Sequence, residues 1–119
     1  LRAILVVHVN HPAEIDDTVA AMLTNLITHG LPVLNQSVLL RGVNDAMRPL
    51  VELSRRLVNL GVMPYYLHQL DAVTGAAHFH VPIERGRQLV HQMAVELPGY
   101  AVPRYVHEQA GAAHKVRLA

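Results

Sequence analysis

An α/β fold built from successive parallel βαβ units is predicted from three features of the chain. Short apolar runs rich in β-branched residues alternate with longer stretches whose apolar residues recur at helical spacing. The links between them are short and carry Gly, Pro, Asn and Asp. The strand-to-strand spacing of roughly 30 residues is the ordinary size of one βαβ unit. Periodicity does not separate half a barrel from a small open sheet. In either arrangement, working residues are expected at the C-terminal ends of the strands, where the loops gather.

The elements follow in order. Ala3–Val9 is short and apolar and reads as a parallel strand buried on both faces. Asp16 or Asp17 can cap a helix that places Val19, Met22, Leu23, Leu26 and Ile27 on one side and stops at Gly30 and Pro32. Pro32–Leu40 is the second strand, followed by the turn Arg41-Gly42-Val43-Asn44-Asp45. The next helix carries Leu50, Leu53, Leu57 and Leu60, with Pro49 in its first turn, where a missing N–H does least harm. Gly61 closes it, and Val62–Leu70 is the third strand. A longer loop, Asp71 to Pro82, leads to a helix from about Ile83 to Leu97, a short extended stretch Ala101–His107 and a tail Glu108–Ala119.

Composition excludes several functions. The chain has 119 residues, 51% of them apolar, enough for a globular core. A net charge of +1 and few aromatic residues argue against nucleic acid and anionic membrane as partners. No apolar stretch is long enough to span a bilayer and no signal peptide is visible, so a cytoplasmic location is expected. With no cysteine, this stretch offers neither a thiolate nucleophile nor a ligand for an iron–sulfur or Cys-bound zinc site. Histidine is abundant at nine, whereas lysine occurs once, at Lys115, in a Gly/Ala-rich setting. The chain opens on a strand without an initiating Met, as expected of a segment of a longer protein.

The motifs read on their own leave choices open. His8-x-Asn10-His11-Pro12 puts two imidazoles at a strand end, as metal ligands or, more plainly, as a turn whose polar groups bind backbone. Asn35-Gln36-Ser37 interrupts an apolar strand with amides that need partners, either a ligand or a neighbouring strand. Alternation in Tyr65–Asp71 sets Tyr66 and His68 on one face and Leu67, Gln69 and Asp71 on the other. Asp71 ends that strand, where its carboxylate can meet a cationic group or brace a loop. His78 and His80 match no common metal spacing. Lys115 follows Gly111-Ala112-Ala113-His114, and such a lysine can form a Schiff base or lie exposed in a tail.

Asn35-Gln36-Ser37-Val38-Leu39-Leu40-Arg41-Gly42-Val43-Asn44-Asp45, Pro64-Tyr65-Tyr66 with Asp71, Gly75 and His78-Phe79, and Pro98-Gly99-Tyr100 with Val102-Pro103 together resemble one family. His8-x-Asn10-His11-Pro12-x-Glu14-Ile15 is similar to the same family's preceding segment. It is the lysine 2,3-aminomutase family of radical S-adenosyl-L-methionine enzymes, and the stretch 67–79 looks most like the branch that makes β-lysine for elongation factor P.

The resemblance implies the C-terminal part of a single domain, an incomplete (β/α) barrel (a partial TIM barrel), whose cluster-binding part precedes this chain. It implies three cofactors: pyridoxal phosphate, S-adenosyl-L-methionine and a 4Fe-4S cluster whose cysteines lie upstream. The reaction implied is radical migration of the 2-amino group of L-lysine to carbon 3. Lys115 falls on the pyridoxal phosphate lysine, Asp71 and Glu108 on the acidic pair for the distal ammonium, and His8 and Gln36 on S-adenosyl-L-methionine contacts. His68, where free-lysine mutases usually carry Tyr, is grouped with the cofactor-binding positions, and Glu108 replaces their Asp. These 119 residues alone are expected to be inert, fragile and prone to self-association. Two other readings predict different ligands: a metal-dependent α/β hydrolase using His8, His11 and Asp71, and a non-catalytic binding module.

Overall fold

The computed structural model describes residues 3–71, 76–107 and 115–119. Among these, strand β1 spans Leu5–Val7, helix α1 Asp17–Thr28, β2 Val33–Leu39, α2 Met47–Leu60, β3 Met63–Gln69, α3 Ile83–Glu96, β4 Arg104–His107 and β5 Val116–Arg117. Single 3-10 turns at Pro12–Glu14, Ala77–Phe79 and Gly99–Ala101 punctuate the links.

The local chemistry explains most boundaries. Asp16 accepts a hydrogen bond from the Val19 N–H at 2.9 Å and so caps α1. Pro49 is the third residue of α2, within its first turn, as the missing N–H requires. Gly61 ends that helix at φ +91°, a left-handed conformation that other residues resist, and the Val62 N–H then bonds back to Leu57.

The sheet order is β1-β2-β3-β4-β5, with β1 to β4 parallel and β5 antiparallel to β4. Strand order therefore follows chain order. The helices cover one face of this sheet. Val33 packs with Leu23 of α1 and with Leu53 and Leu57 of α2, while Leu39, Leu67 and Tyr105 pack with Leu50, Leu89 and Met93 of α2 and α3. Each fully buried aliphatic side chain contributes on the order of 1.5–3 kcal/mol. Burial alternates strictly along β2, so Leu34, Gln36 and Val38 point to the face opposite the helices.

A one-residue bulge separates the lower and upper halves of the β2–β3 ladder. Asn35 pairs with Pro64, but Gln36 pairs with Tyr66, so Tyr65 is the extra residue. Pro64 has no N–H to give the ladder, which suits it to such a break. Beyond the bulge, Tyr66 and His68 face the same way as Gln36 and Val38, while Leu67 and Gln69 turn to the helices.

Two expectations need correction. β1 is not buried on both faces: Ile4 is 57% and Val6 38% exposed, because β1 is the sheet edge and no described helix lies over that side. The tail is not simply a loop either, since Val116–Arg117 pairs with β4 and the Leu118 N–H reaches the Tyr105 carbonyl at 2.7 Å.

Candidate functional site

The open face of the sheet ends in a cleft of about 490 Å³ at the C-terminal ends of β1, β2 and β3, lined by His8, Gln36, Val38, His68, Gln69, Leu70 and Asp71. Four of the residues singled out from the sequence, His8, Gln36, His68 and Asp71, thus share one site.

Three asparagines fix the rim. Asn35 accepts from the Val9 N–H at 2.9 Å and donates to the Val9 carbonyl at 3.1 Å, continuing the β1–β2 ladder with a side chain in place of backbone. Asn10 accepts from the Val38 N–H at 2.9 Å. Asn44, nearly fully buried, donates to the carbonyls of Asn10 (2.8 Å) and Val38 (2.9 Å) and accepts from the Leu40 N–H (2.8 Å). The amides of Asn35 and Asn44 are satisfied by backbone, which settles Asn35 as a brace rather than a ligand-facing group. The network holds the segments that carry His8 and Gln36.

On the cleft wall, His68 Nε2 and Gln36 Oε1 are 3.0 Å apart. Tyr66 meets the His68 ring edge-on at 5.6 Å and stacks at 4.1 Å on Tyr65. Its hydroxyl is pushed above the usual phenol range, first by its hydrogen bond with Tyr65, then by burial and by the charge of Tyr65, against the opposing pull of Arg104. Lys115, half-buried just before β5, sets its Nζ 5.3 Å from the centre of the Tyr66 ring, within cation–π range. A run of contacts thus leads from Lys115 through Tyr66 and His68 to Gln36.

At the far end of the cleft, Asp71 accepts a hydrogen bond from His107 Nε2. Below them the Tyr105 hydroxyl donates to Gln69 Oε1, and Gln69 Nε2 donates to the Val81 carbonyl at 2.7 Å. Tyr105 is fully buried, and that burial raises its hydroxyl to about 12, with Arg87 lowering and Glu84 raising it in smaller measure.

Other sequence candidates fall outside the cleft. His11 Nδ1 accepts from the Ala13 N–H at 3.0 Å, the backbone-capping role of the plainer reading. His78 stacks on Phe79, and its carbonyl accepts from Arg41 Nε at 2.9 Å. Glu108 lies outside the described residues. Among the described residues no three His, Asp or Glu side chains gather in a geometry that could hold a metal ion. His107 was missed because its partner lies 36 positions away, a separation no local pattern reports.

Comparison with known proteins finds close relatives. The chain is 45% identical over 118 residues to L-lysine 2,3-aminomutase of Escherichia coli (strain K12), a match covering 99% of the chain. Along nearly its whole length the chain is similar to L-lysine 2,3-aminomutases. Matches to the enzymes of that name from Haemophilus influenzae (41% identity, 100% of the chain) and Clostridium subterminale (39%, 91% of the chain) agree. The chain spans only about a third of the length of the first two relatives (34% and 35%) and 26% of the third. No family model matches it. Among the described residues no helix is long and apolar enough to cross a membrane.

Proposed function

We propose that this chain is the part of a lysine 2,3-aminomutase that carries the pyridoxal phosphate lysine, Lys115, and the carboxylate that receives the distal ammonium of L-lysine, Asp71. The observation that carries the reading is the family match along nearly the whole chain, with Lys115 sitting over Tyr66 on the face that also bears Gln36 and His68. Sequential strand order with all helices on one face supports an arc of a (β/α) barrel, whose working face is the C-terminal end of the strands.

The residues present fit two of the three cofactors. Lys115 offers the amine for pyridoxal phosphate from a half-buried position beside an aromatic ring. His8, Gln36 and His68 offer a polar wall for S-adenosyl-L-methionine. Nothing in the chain fits the iron–sulfur cluster, because there is no cysteine; its ligands belong to residues outside these 119. When bound, these groups supply an electron-accepting ring and a hydrogen-abstracting radical, the chemistry the side chains themselves lack. The chain's own residues do the placing. Gln36 and His68 orient one another at 3.0 Å, Asp71 compensates an ammonium, and the asparagine braces keep the rim rigid. The product is β-lysine, made for elongation factor P, and the segment by itself is inert.

The test is borohydride trapping on the natural protein that carries this chain, with the modified peptide located by mass spectrometry. A pyridoxyl group on Lys115 is expected. Trapping at another residue, or none in cofactor-loaded protein, would reduce the kinship to one of fold.

A further inference from the structure

The chain binds its two candidate substrate-contacting points, Asp71 and Lys115, to one residue that no motif singled out. His107 is the last residue of β4. Its imidazole Nε2 donates to Asp71, and its backbone pairs with Val116 of β5, the residue next to Lys115. The imidazole is 19% exposed and the Asp71 side chain 56%, so the histidine is the fixed partner and the carboxylate the open one. Asp71 lies beyond the last paired residue of β3 and has no other hydrogen-bond or ion-pair partner among the described residues.

The contact is one of a pair. Two residues earlier on each strand, the Tyr105 hydroxyl donates to Gln69 in the same diagonal step from β4 to β3. Tyr105 and His107 lie on one side of β4, because side chains alternate along a strand, and they reach Gln69 at the end of β3 and Asp71 two residues past it. The lower rung is buried and anchored to the Val81 carbonyl, so the upper rung starts from a rigid base.

We infer that His107 is a positioning and specificity-determining residue. By holding one oxygen of Asp71 it leaves the other to accept an ammonium, at a spacing from Lys115 set through the β4–β5 pairing. The site would then act as a ruler for an amino acid with a second, distal cation. This deepens the aminomutase reading and rests on it. An unheld carboxylate at a strand end would have to be ordered by each substrate that binds, and that ordering cost falls on affinity rather than on chemistry. His107 acts through Asp71 and need not touch the reacting atoms.

The test compares wild type, His107→Leu and His107→Gln in the natural, cofactor-loaded protein. It measures kcat and KM for L-lysine, and binding of L-lysine against L-norleucine, which has the same chain without the ammonium. His107→Leu should lose on the order of tenfold in preference for lysine over norleucine, with KM rising more than kcat falls. His107→Gln, which keeps a donor, should recover most of that preference. Pyridoxyl trapping at Lys115 should be unchanged in both variants, showing that fold and cofactor attachment survive. Normal trapping with wild-type preference in His107→Leu would overturn the inference. Absence of the Lys115 label in the wild type would instead sink the aminomutase reading, and the inference with it.

Discussion

Replacing Gly86 by alanine would put a methyl group 2.1 Å from the Tyr105 hydroxyl oxygen and 2.4 Å from Cζ. Ordinary non-bonded contacts lie near 3.5–4.0 Å, so the overlap exceeds one ångström. The ring cannot slip aside cheaply: Tyr105 is fully buried, and its hydroxyl donates to Gln69. Two effects compete. Alanine is favoured over glycine within a helix by about 1 kcal/mol, and Gly86 is within α3. Overpacking a filled core costs about 1–3 kcal/mol, and displacing the hydroxyl leaves buried Gln69 without its donor, about 1–3 kcal/mol more. A net destabilisation of about 1–5 kcal/mol follows. It would be read as a lowered urea midpoint at unchanged slope. The decisive control is a double-mutant cycle with Tyr105→Leu, which removes the ring. In that background Gly86→Ala should be neutral or stabilising. A Gly86→Ala protein as stable as wild type would refute the claim that the missing side chain is there for Tyr105.

Two further outcomes follow from the same physical picture. Asn35→Ala should cost about 2–4 kcal/mol, because it leaves the Val9 N–H and carbonyl without their partners; a urea midpoint shift near zero would show that water replaces the amide. Tyr105 should ionise late in an ultraviolet titration, near about 12. Its folded value lies above the ordinary phenol value of 10, so its contribution to stability is complete below pH 10 and is lost as pH rises from there through about 12. A urea midpoint that falls no faster across this window in wild type than in Tyr105→Phe would contradict the assignment.

Local patterning made most of the fold legible. Asp16, Pro49 and Gly61 mark helix ends through the chemistry of single residues, and the structure places them as expected. Periodicity also put Tyr66 and His68 on the face opposite Leu67 and Gln69. What escaped were pairings between distant positions. β5 has two residues and exists only because β4 offers an edge, so nothing within it announces a strand. β1 misled because its apolar residues resemble those of a strand covered on both sides, whereas exposure at Ile4 and Val6 depends on what lies over them. In the site, the gathering of His8, Gln36, His68 and Asp71 followed from the rule that strand ends converge. The roles of Asn44 and His107 did not, since hydrogen bonds across 34 and 36 positions leave no local trace.

The extra residue at Tyr65 has a consequence for how this site can change. Side-chain direction in a strand is binary; the bulge absorbs Tyr65, and the count from Tyr66 to His68 selects which residues face the cleft. Closing the bulge by removing Tyr65 would leave Tyr66 opposite Gln36 and still facing the cleft, whereas removing Leu67 would turn His68 toward the hydrophobic interior. Identities along this stretch can therefore drift one at a time, but its length above the bulge cannot. Engineering or divergence at this wall should proceed by substitution, with insertions and deletions confined to the bulge and to the loops beyond the strand.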